Sequence, residues 1–382
     1  MTALRMLVVA TRVQTPGTGI EHTHLNELLA HLREHGPVLA LAGRSSHGRD
    51  ILDAGLWSGL PPPGLRHMLA AANLARSLAH VRAFNPTVIY EQGASFGLGA
   101  FYSRLLNIPM LVSTFDQHFS RLSLRRARFI VTLHRDLIPT AYQYKAVQMN
   151  PGINIERFHP DISGATNRIR HGFSPEDFVV AYCGTFKPWH GLEHLVRAAE
   201  QVPDPTLKFL LIGDVRQARN LPALVRSKKL TKRFVFTGRV PYDQVPQHLA
   251  AADVCVAPFD LQKRGGKAGQ GQAPLKVVEY LALEKPVIAS QVQSLTQLFR
   301  DGHHLHLVPP RNPQSLATAL QDLRRQPERA AELARTGRQR VLEHHTWSAQ
   351  AGQLASLFRR MLTGDDPPLL PGSTREPALN GT

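Results

Sequence analysis

The sequence predicts an α/β protein made of two doubly wound parallel sheets, each covered by helices on both faces. Three observations carry this. Apolar runs of strand length alternate with longer segments of helical period, as parallel strands joined by crossover helices do. The alternation starts afresh after Asn150-Pro151-Gly152. The chain has 382 residues, more than one core ordinarily organises, since domains settle at about 100 to 200 residues.

The first series of strands reads Leu4 to Ala10, Val38 to Ala42, Thr87 to Tyr90, Met110 to Ser113, Phe129 to Thr132 and Ala146 to Met149. The second reads Phe178 to Cys183, Leu207 to Ile212, Phe234 to Thr237, Val254 to Ala257, Val287 to Ser290 and Leu305 to Val308. Pro151, Gly152, Pro160, Ser163 and Gly164 between them are turn-forming and suit a hinge. The expected domains are therefore 1–155 and 156–345. From Pro313 onward the pattern is helical, with Leu316, Ala319, Leu320 and Leu323 on one face. A last helix within 346–363 is free to pack back on the N-terminal domain. Residues 364–382 lack periodicity and are expected to be a disordered tail.

At 43% hydrophobic, 19% charged and 7% aromatic residues, the composition is that of a globular protein with a sizeable core. The two cysteines, Cys183 and Cys255, sit inside apolar runs, which excludes a disulfide framework and fits a reducing compartment. The run Met6 to Ala10 is too short for a signal segment. No stretch reaches the roughly 18 apolar residues of a membrane span. The expected location is cytoplasmic.

The formal net charge is +16, divided as +7 in residues 1–160 and +9 in the remainder. Such a charge favours polyanionic neighbours: phosphates, anionic lipid surfaces or nucleic acid. A basic stripe interleaved with aromatics is absent from the sequence, so no specific nucleic-acid partner is expected. The densest cluster is Arg121, Arg125, Arg126 and Arg128, with 121, 125 and 128 expected on one helical face. That face is either simply solvated or makes peripheral contact with an anionic membrane at its inner side.

Three loops carry chemistry. Pro274 suits the first turn of a helix whose apolar face is Leu275, Val278, Leu281 and Ala282. Its N-terminus, preceded by Gly269, Gly271 and Ala273, offers free amides to an anion. Lys276 and Glu279 lie three residues apart, so the helix can present amides, an ammonium and a carboxylate to one ligand. Diphosphate and ribose hydroxyls fit that set; a solvated surface Lys/Glu pair fits the spacing equally. The second loop, Cys183-Gly184-Thr185-Phe186-Lys187-Pro188-Trp189-His190-Gly191, follows a strand and opens a helix. There Lys187 can stabilise a departing diphosphate, or the loop is only a capped turn with Trp189 plugging the core. The third, Thr15 to His24, carries Gly17 and Gly19 in an incomplete G-x-G-x-x-G pattern.

Together with Asn150-Pro151-Gly152 to Pro160, Phe236-Thr237-Gly238-Arg239-Val240-Pro241, Ala252-Asp253-Val254 to Pro258 and Glu279-Tyr280-Leu281-Ala282 to Pro286-Val287-Ile288-Ala289-Ser290, these loops resemble the family 4 (group 1) glycosyltransferases. The resemblance extends to about Leu362. It implies the GT-B architecture, two Rossmann-like domains facing a central cleft with C-terminal helices, and a retaining transfer from a nucleotide-diphosphate sugar to a glycan, lipid-linked or small-molecule hydroxyl. It places Glu279 on the ribose, the Leu275 and Lys276 backbone at the diphosphate, and Gly184 and His190 at the donor. Gly238 and Arg239 lie near the base, and Gly17 and Gly19 face the donor phosphates.

The chain departs from the family pattern at three places. Gly271 stands eight positions before Glu279, where the family has a sugar-contacting carboxylate, leaving Gln270 or Gln272 to substitute. Thr185 and His190 replace the usual basic pair, so Lys187 is expected to carry the phosphate charge. Asp116 occupies the place of a histidine after the strand Met110 to Ser113, with His118 close by; either can orient the acceptor, or both are surface loop residues.

No D-x-D or H-E-x-x-H pattern occurs, and His303-His304-Leu305-His306 reads as a surface loop, so the expected chemistry is metal-independent and hexosyl-type, with no cofactor beyond the donor. The altered positions also allow a catalytically silent nucleotide-sugar-binding subunit. A basic nucleic-acid-binding protein is the alternative from another class.

Overall fold

The structure, a computed structural model, describes residues 3–15, 20–45, 51–53, 68, 77–93, 95, 97–115, 119–150, 152–264 and 275–365. The chain forms two compact units, residues 1–152 with 347–382, and residues 153–346.

The first unit is built on seven parallel strands: β1 (Met6–Thr15), β2 (Val38–Ser45), β3 (Ile51–Asp53), β4 (Val88–Gln92), β5 (Met110–Thr114), β6 (Phe129–Thr132) and β7 (Ala146–Gln148), in the order β3-β2-β1-β4-β5-β6-β7. Period-two geometry sends Met6, Val8 and Ala10 into one buried cluster and Leu7 and Val9 into another. Covering both faces makes such strands continuously apolar. The helix Trp347–Thr363 packs on the helix Ile20–Arg33 within this unit. Its Gln350 ties down the outgoing strand connection, accepting from Gly152 N at 3.2 Å and donating to Asn150 O at 3.0 Å.

The second unit repeats the plan with six parallel strands: β8 (Phe178–Cys183), β9 (Leu207–Ile212), β10 (Phe234–Gly238), β11 (Val254–Ala257), β12 (Val287–Ser290) and β13 (His306–Val308), ordered β10-β9-β8-β11-β12-β13. In both sheets the order reverses beside the first strand of the series, which opens a crevice at the strands' carboxyl ends. In unit 2 that crevice lies between β8 and β11. Val179, Ala181 and Cys183 face the helix Leu275–Ala282 side of the sheet; Val180 and Tyr182 face the helix Leu192–Gln201 side. Buried Arg233 caps the latter helix, donating to Ala199 O at 2.9 Å and Val202 O at 2.7 Å.

The expected arginine face does not form. The helix holding the cluster is only Arg121–Arg126, ended by Ala127 in an extended conformation, so Arg128 lies outside it. Arg126 donates to Ser103 Oγ at 2.8 Å, and Arg128 to Met361 O at 3.3 Å. Half of the cluster is thus committed to internal acceptors. Among the described residues no helix is long and apolar enough to cross a membrane. Both cysteines are free and buried, as core residues are.

Candidate functional site

The site in unit 2 starts from the helix Leu275–Ala282, whose first turn enters the β8/β11 crevice. Val277, Val278 and Leu281 bury its apolar side. That fixes Lys276 and Glu279 one turn apart on the remaining side, three residues from each other. Glu279 is buried, 7% exposed, and Lys276 is half-buried. A solvated surface pair is therefore excluded.

Lys276 Nζ donates to Tyr182 Oη at 2.6 Å and stands 4.3 Å from the Tyr182 ring centroid and 5.4 Å from that of Phe259. Tyr182 Oη donates onward to Thr185 O at 2.7 Å. Removal from water pushes the Lys276 ammonium down to about 7, against the opposing pull of Cys183 and Glu279. Glu279 Oε1 accepts from Tyr242 Oη at 2.9 Å. Burial pushes its carboxyl up to about 7, opposed by the Tyr242 hydrogen bond and by Lys276. Tyr242 is held in turn by Phe158, 5.7 Å away between ring centroids, and by the Arg157 guanidinium 5.3 Å from its ring. Tyr280 clamps the end of β8: its hydroxyl accepts from Cys183 N at 2.7 Å and donates to Cys183 O at 3.2 Å.

Gly184 follows β8 with φ +137°, and a Cβ there would lie 3.0 Å from Lys276 Nζ. That φ is one L side chains rarely adopt, so glycine is what the turn beside the ammonium requires. Gly191, φ +64°, starts the helix Leu192–Gln201, and a Cβ there would overlap Pro258 O. His190 is buried in the same turn; its Nδ1 contacts Thr185 O, and its ring lies 6.1 Å from Tyr182 and 6.0 Å from Phe259.

The structure thus assembles Gly184, His190, Lys276 and Glu279, with Leu275 half-buried at the head of the helix. Gly238 ends β10 two strands away, linked through Gly213 N, which donates to its carbonyl at 3.1 Å. Arg239 beside it is exposed. Lys187 is exposed in the loop between Gly184 and His190. It lines a cavity with Arg216, Arg219 and Lys263 that includes none of Tyr182, Lys276 and Glu279. Gly17, Gly19, Asp116, His118, Gln270, Gly271, Gln272 and Pro274 lie outside the described residues.

Sequence reasoning missed Tyr182, Tyr242, Tyr280 and Phe259. Their spacing is that of core aromatics; only Tyr280, next to Glu279, carried a signal, since a buried phenol needs a partner for its hydroxyl. One group of metal-capable side chains stands among the described residues: Glu193, His194 and Asp260, with ligand atoms within 4.8 Å of one another. The Lys263 ammonium already meets it, contacting Glu193 Oε1 and lying 3.7 Å from Asp260 Oδ2.

Residues 177–326 match the family described as Glycosyl transferases group 1. A GDP-mannose-dependent alpha-(1-6)-phosphatidylinositol monomannoside mannosyltransferase of Mycolicibacterium smegmatis is 28% identical over 213 residues, 54% of this chain and 54% of that protein. A D-inositol 3-phosphate glycosyltransferase of Streptomyces bingchenggensis is 27% identical over 227 residues, 56% and 48% of the two chains. The matches thus span about half the length of these curated relatives. A 2-deoxystreptamine glucosyltransferase of Streptomyces kanamyceticus is 27% identical over 273 residues, 69% of this chain and 68% of that one. Among solved structures, sucrose-phosphate synthase from Thermosynechococcus elongatus superposes with a TM-score of 0.71 at 21% identity, covering 95% of this chain and 100% of that one. HepE of Anabaena, solved with UDP, gives 0.72 at 18% identity, covering 93% and 100%. These likenesses show the fold, GT-B.

Proposed function

We propose, from the premise that residues 177–326 form a group 1 glycosyltransferase domain, that the protein transfers a hexosyl group from a nucleoside-diphosphate sugar to a hydroxyl acceptor, with retention of configuration and without a metal. The observation that carries this reading is the buried Lys276 and Glu279 pair in the β8/β11 crevice. Lys276, with a proton shared toward Tyr182, is the cation for the diphosphate. Glu279, held among the described residues by one phenol, keeps oxygen lone pairs for ribose hydroxyls.

This assignment moves the phosphate charge from Lys187 to Lys276. Negative charge develops on the diphosphate as the glycosyl bond breaks, and an ammonium in a partly dry crevice stabilises it more than one in water does. Leu275 at the helix start adds backbone amides, and Gly238 and Arg239 take the base side. Gly17 and Gly19, carried over from the family, complete the set with Gln272 at the sugar and Asp116 and His118 at the acceptor, the three standing where the chain departs from the family pattern. The acceptor is a glycan, lipid-linked or small-molecule hydroxyl, and a cytoplasmic location, peripheral at the inner membrane face, suits it.

The test is a thermal-shift panel of UDP-, GDP- and ADP-sugars on the full chain, followed by transfer assays and determination of the product anomer. A donor at 100 times its Kd adds roughly 2.7 kcal/mol to stability. Stabilisation by one donor class, lost in Lys276→Met, is expected. Donor binding with neither transfer nor hydrolysis would replace the enzyme reading by that of a silent binding subunit. No response to any donor would overturn both.

A further inference from the structure

Unit 2 holds a cavity of about 690 Å³, within the size range of small-molecule sites. It belongs to the other face of the sheet from Glu279. Phe186, Leu192 and Leu221 in its wall are part of the core cluster under the helix Leu192–Gln201, whereas Val277, Val278 and Leu281 belong to the opposite cluster. Its charged groups are Lys187, Arg216, Arg219 and Lys263 against Glu193 alone.

Two of the four cations are spoken for. Arg216 Nε donates to Asp214 Oδ1 at 2.9 Å and Oδ2 at 3.1 Å, and Lys263 contacts Glu193. Lys187 and Arg219 are exposed, and their side chains have no hydrogen bond or ion pair among the described residues. The cavity therefore combines an apolar floor with two uncommitted cations and a net positive wall, which is the complement of an anion bearing an organic group.

We propose that this cavity binds a phosphomonoester, its phosphate held by Arg219 and Lys187 and its organic part laid on Phe186, Leu221 and Leu224. The guanidinium supplies paired donors to phosphate oxygens and the ammonium a point charge. Two sources share that chemistry, a soluble ester and a phosphatidate headgroup. Neither Lys276 nor Glu279 lines this cavity, so the proposal does not rest on the transferase reading.

Titration calorimetry of the full chain with glycerol 3-phosphate, with glycerol as the neutral control, tests it. Flotation with phosphatidate-containing or pure phosphatidylcholine vesicles is run in parallel. Binding of the ester or of phosphatidate vesicles is expected, weakened at least about tenfold in Arg219→Glu. It should persist in Arg226→Glu, which makes the same charge change on the exposed end of the helix Leu221–Ser227, and UDP should not displace it. Ester binding identifies a soluble ligand; retention by vesicles alone identifies the headgroup. Failure of both arms overturns the proposal. So does an equal loss in Arg226→Glu, which would mean a diffuse charge field, or displacement by UDP, which would place the phosphate in the donor cluster. A thermal midpoint for Arg219→Glu equal to that of the parent protein excludes misfolding as the cause.

Discussion

Among the described residues each unit buries one glutamate in its parallel sheet region, and the two differ in how completely they are satisfied. Glu91 in β4 is 0% exposed; its oxygens accept from Ser123 Oγ at 2.9 Å and from Gly97 N at 3.2 Å, and the amides of Gly99 and Ala100 also face it. It caps the helix Leu98–Leu106 from within the core, where a carboxylate meets the positive end of the helix. Among the described residues Glu279 has one donor, Tyr242. Burial drives both carboxyls up to about 7. The shift alone therefore does not separate a structural carboxylate from a ligand-binding one. The count of satisfied lone pairs does, since an unfilled buried acceptor has work left for a ligand.

The sharpest way to break that comparison is to remove each carboxylate. Glu91→Ala strands the Ser123 hydroxyl and three amides in a dry core, and a loss of about 3 kcal/mol in unfolding free energy is expected. Among the described residues Glu279→Ala strands the Tyr242 hydroxyl alone, so its loss should stay under about 1.5 kcal/mol. Urea unfolding of both variants measures this. Equal losses would mean that Glu279 is as structural as Glu91.

Ligand affinity should reverse the ranking. Lys276→Met and Glu279→Gln should each weaken nucleotide binding by roughly 10- to 100-fold, while Glu91→Gln leaves it unchanged. Calorimetry with the nucleotide found in the thermal-shift panel reads it. Undiminished affinity in both crevice variants would remove the pair from the donor site.

Proton linkage gives a third, smaller signature. Glu279 holds its proton to about 7 in the folded state against 4.5 as the reference value. The folded state thus binds more protons between pH 4.5 and 7, and stability falls as pH rises through that window. Lys276, down to about 7 from 10.5, does the reverse: the unfolded state binds more protons from pH 7 to 10.5, and stability rises with pH there. The Tm difference between Glu279→Gln and the parent should therefore grow more positive from pH 4.5 to 7. Nucleotide affinity needs a charged Lys276 and an ionised Glu279, so it should peak near pH 7 and fall on both sides. A flat profile from pH 5.5 to 8.5 would contradict it.

The same comparison shows what could be read in advance. Both sheets were legible because strands covered on two faces are continuously apolar, as Met6 to Ala10 and Phe178 to Cys183 are. β3, only Ile51–Asp53, is too short to carry a pattern. Lys276 and Glu279 were legible because helical spacing places them on one face. The cavity that Lys187 lines was not legible: Lys187 precedes the 3₁₀ turn Pro188–His190, and Arg216, Arg219 and Lys263 join the same wall from later in the chain. Nor were the phenols legible, because Tyr182 sits in a strand as any core aromatic would, and its acceptor and donor arrive from Thr185 and Lys276 only on folding.

Tyr242→Phe is the finest probe, because it alters the partner count of Glu279 without touching the carboxylate. The lost hydrogen bond favours the ionised form, so its removal raises the Glu279 pKa above about 7. The acid limb of the nucleotide-affinity profile should then move to higher pH, while the limb set by Lys276 stays in place. At pH 7 the affinity should drop by less than about tenfold, the scale of one hydrogen bond, and the ratio to the parent should return toward one as pH rises toward 8, while both fall along the Lys276 limb. A uniform drop at every pH would mean that Tyr242 touches the ligand itself. Ser123→Ala removes one donor from Glu91 in the other unit, away from the Lys276 and Glu279 pair, and should leave the affinity profile where it was.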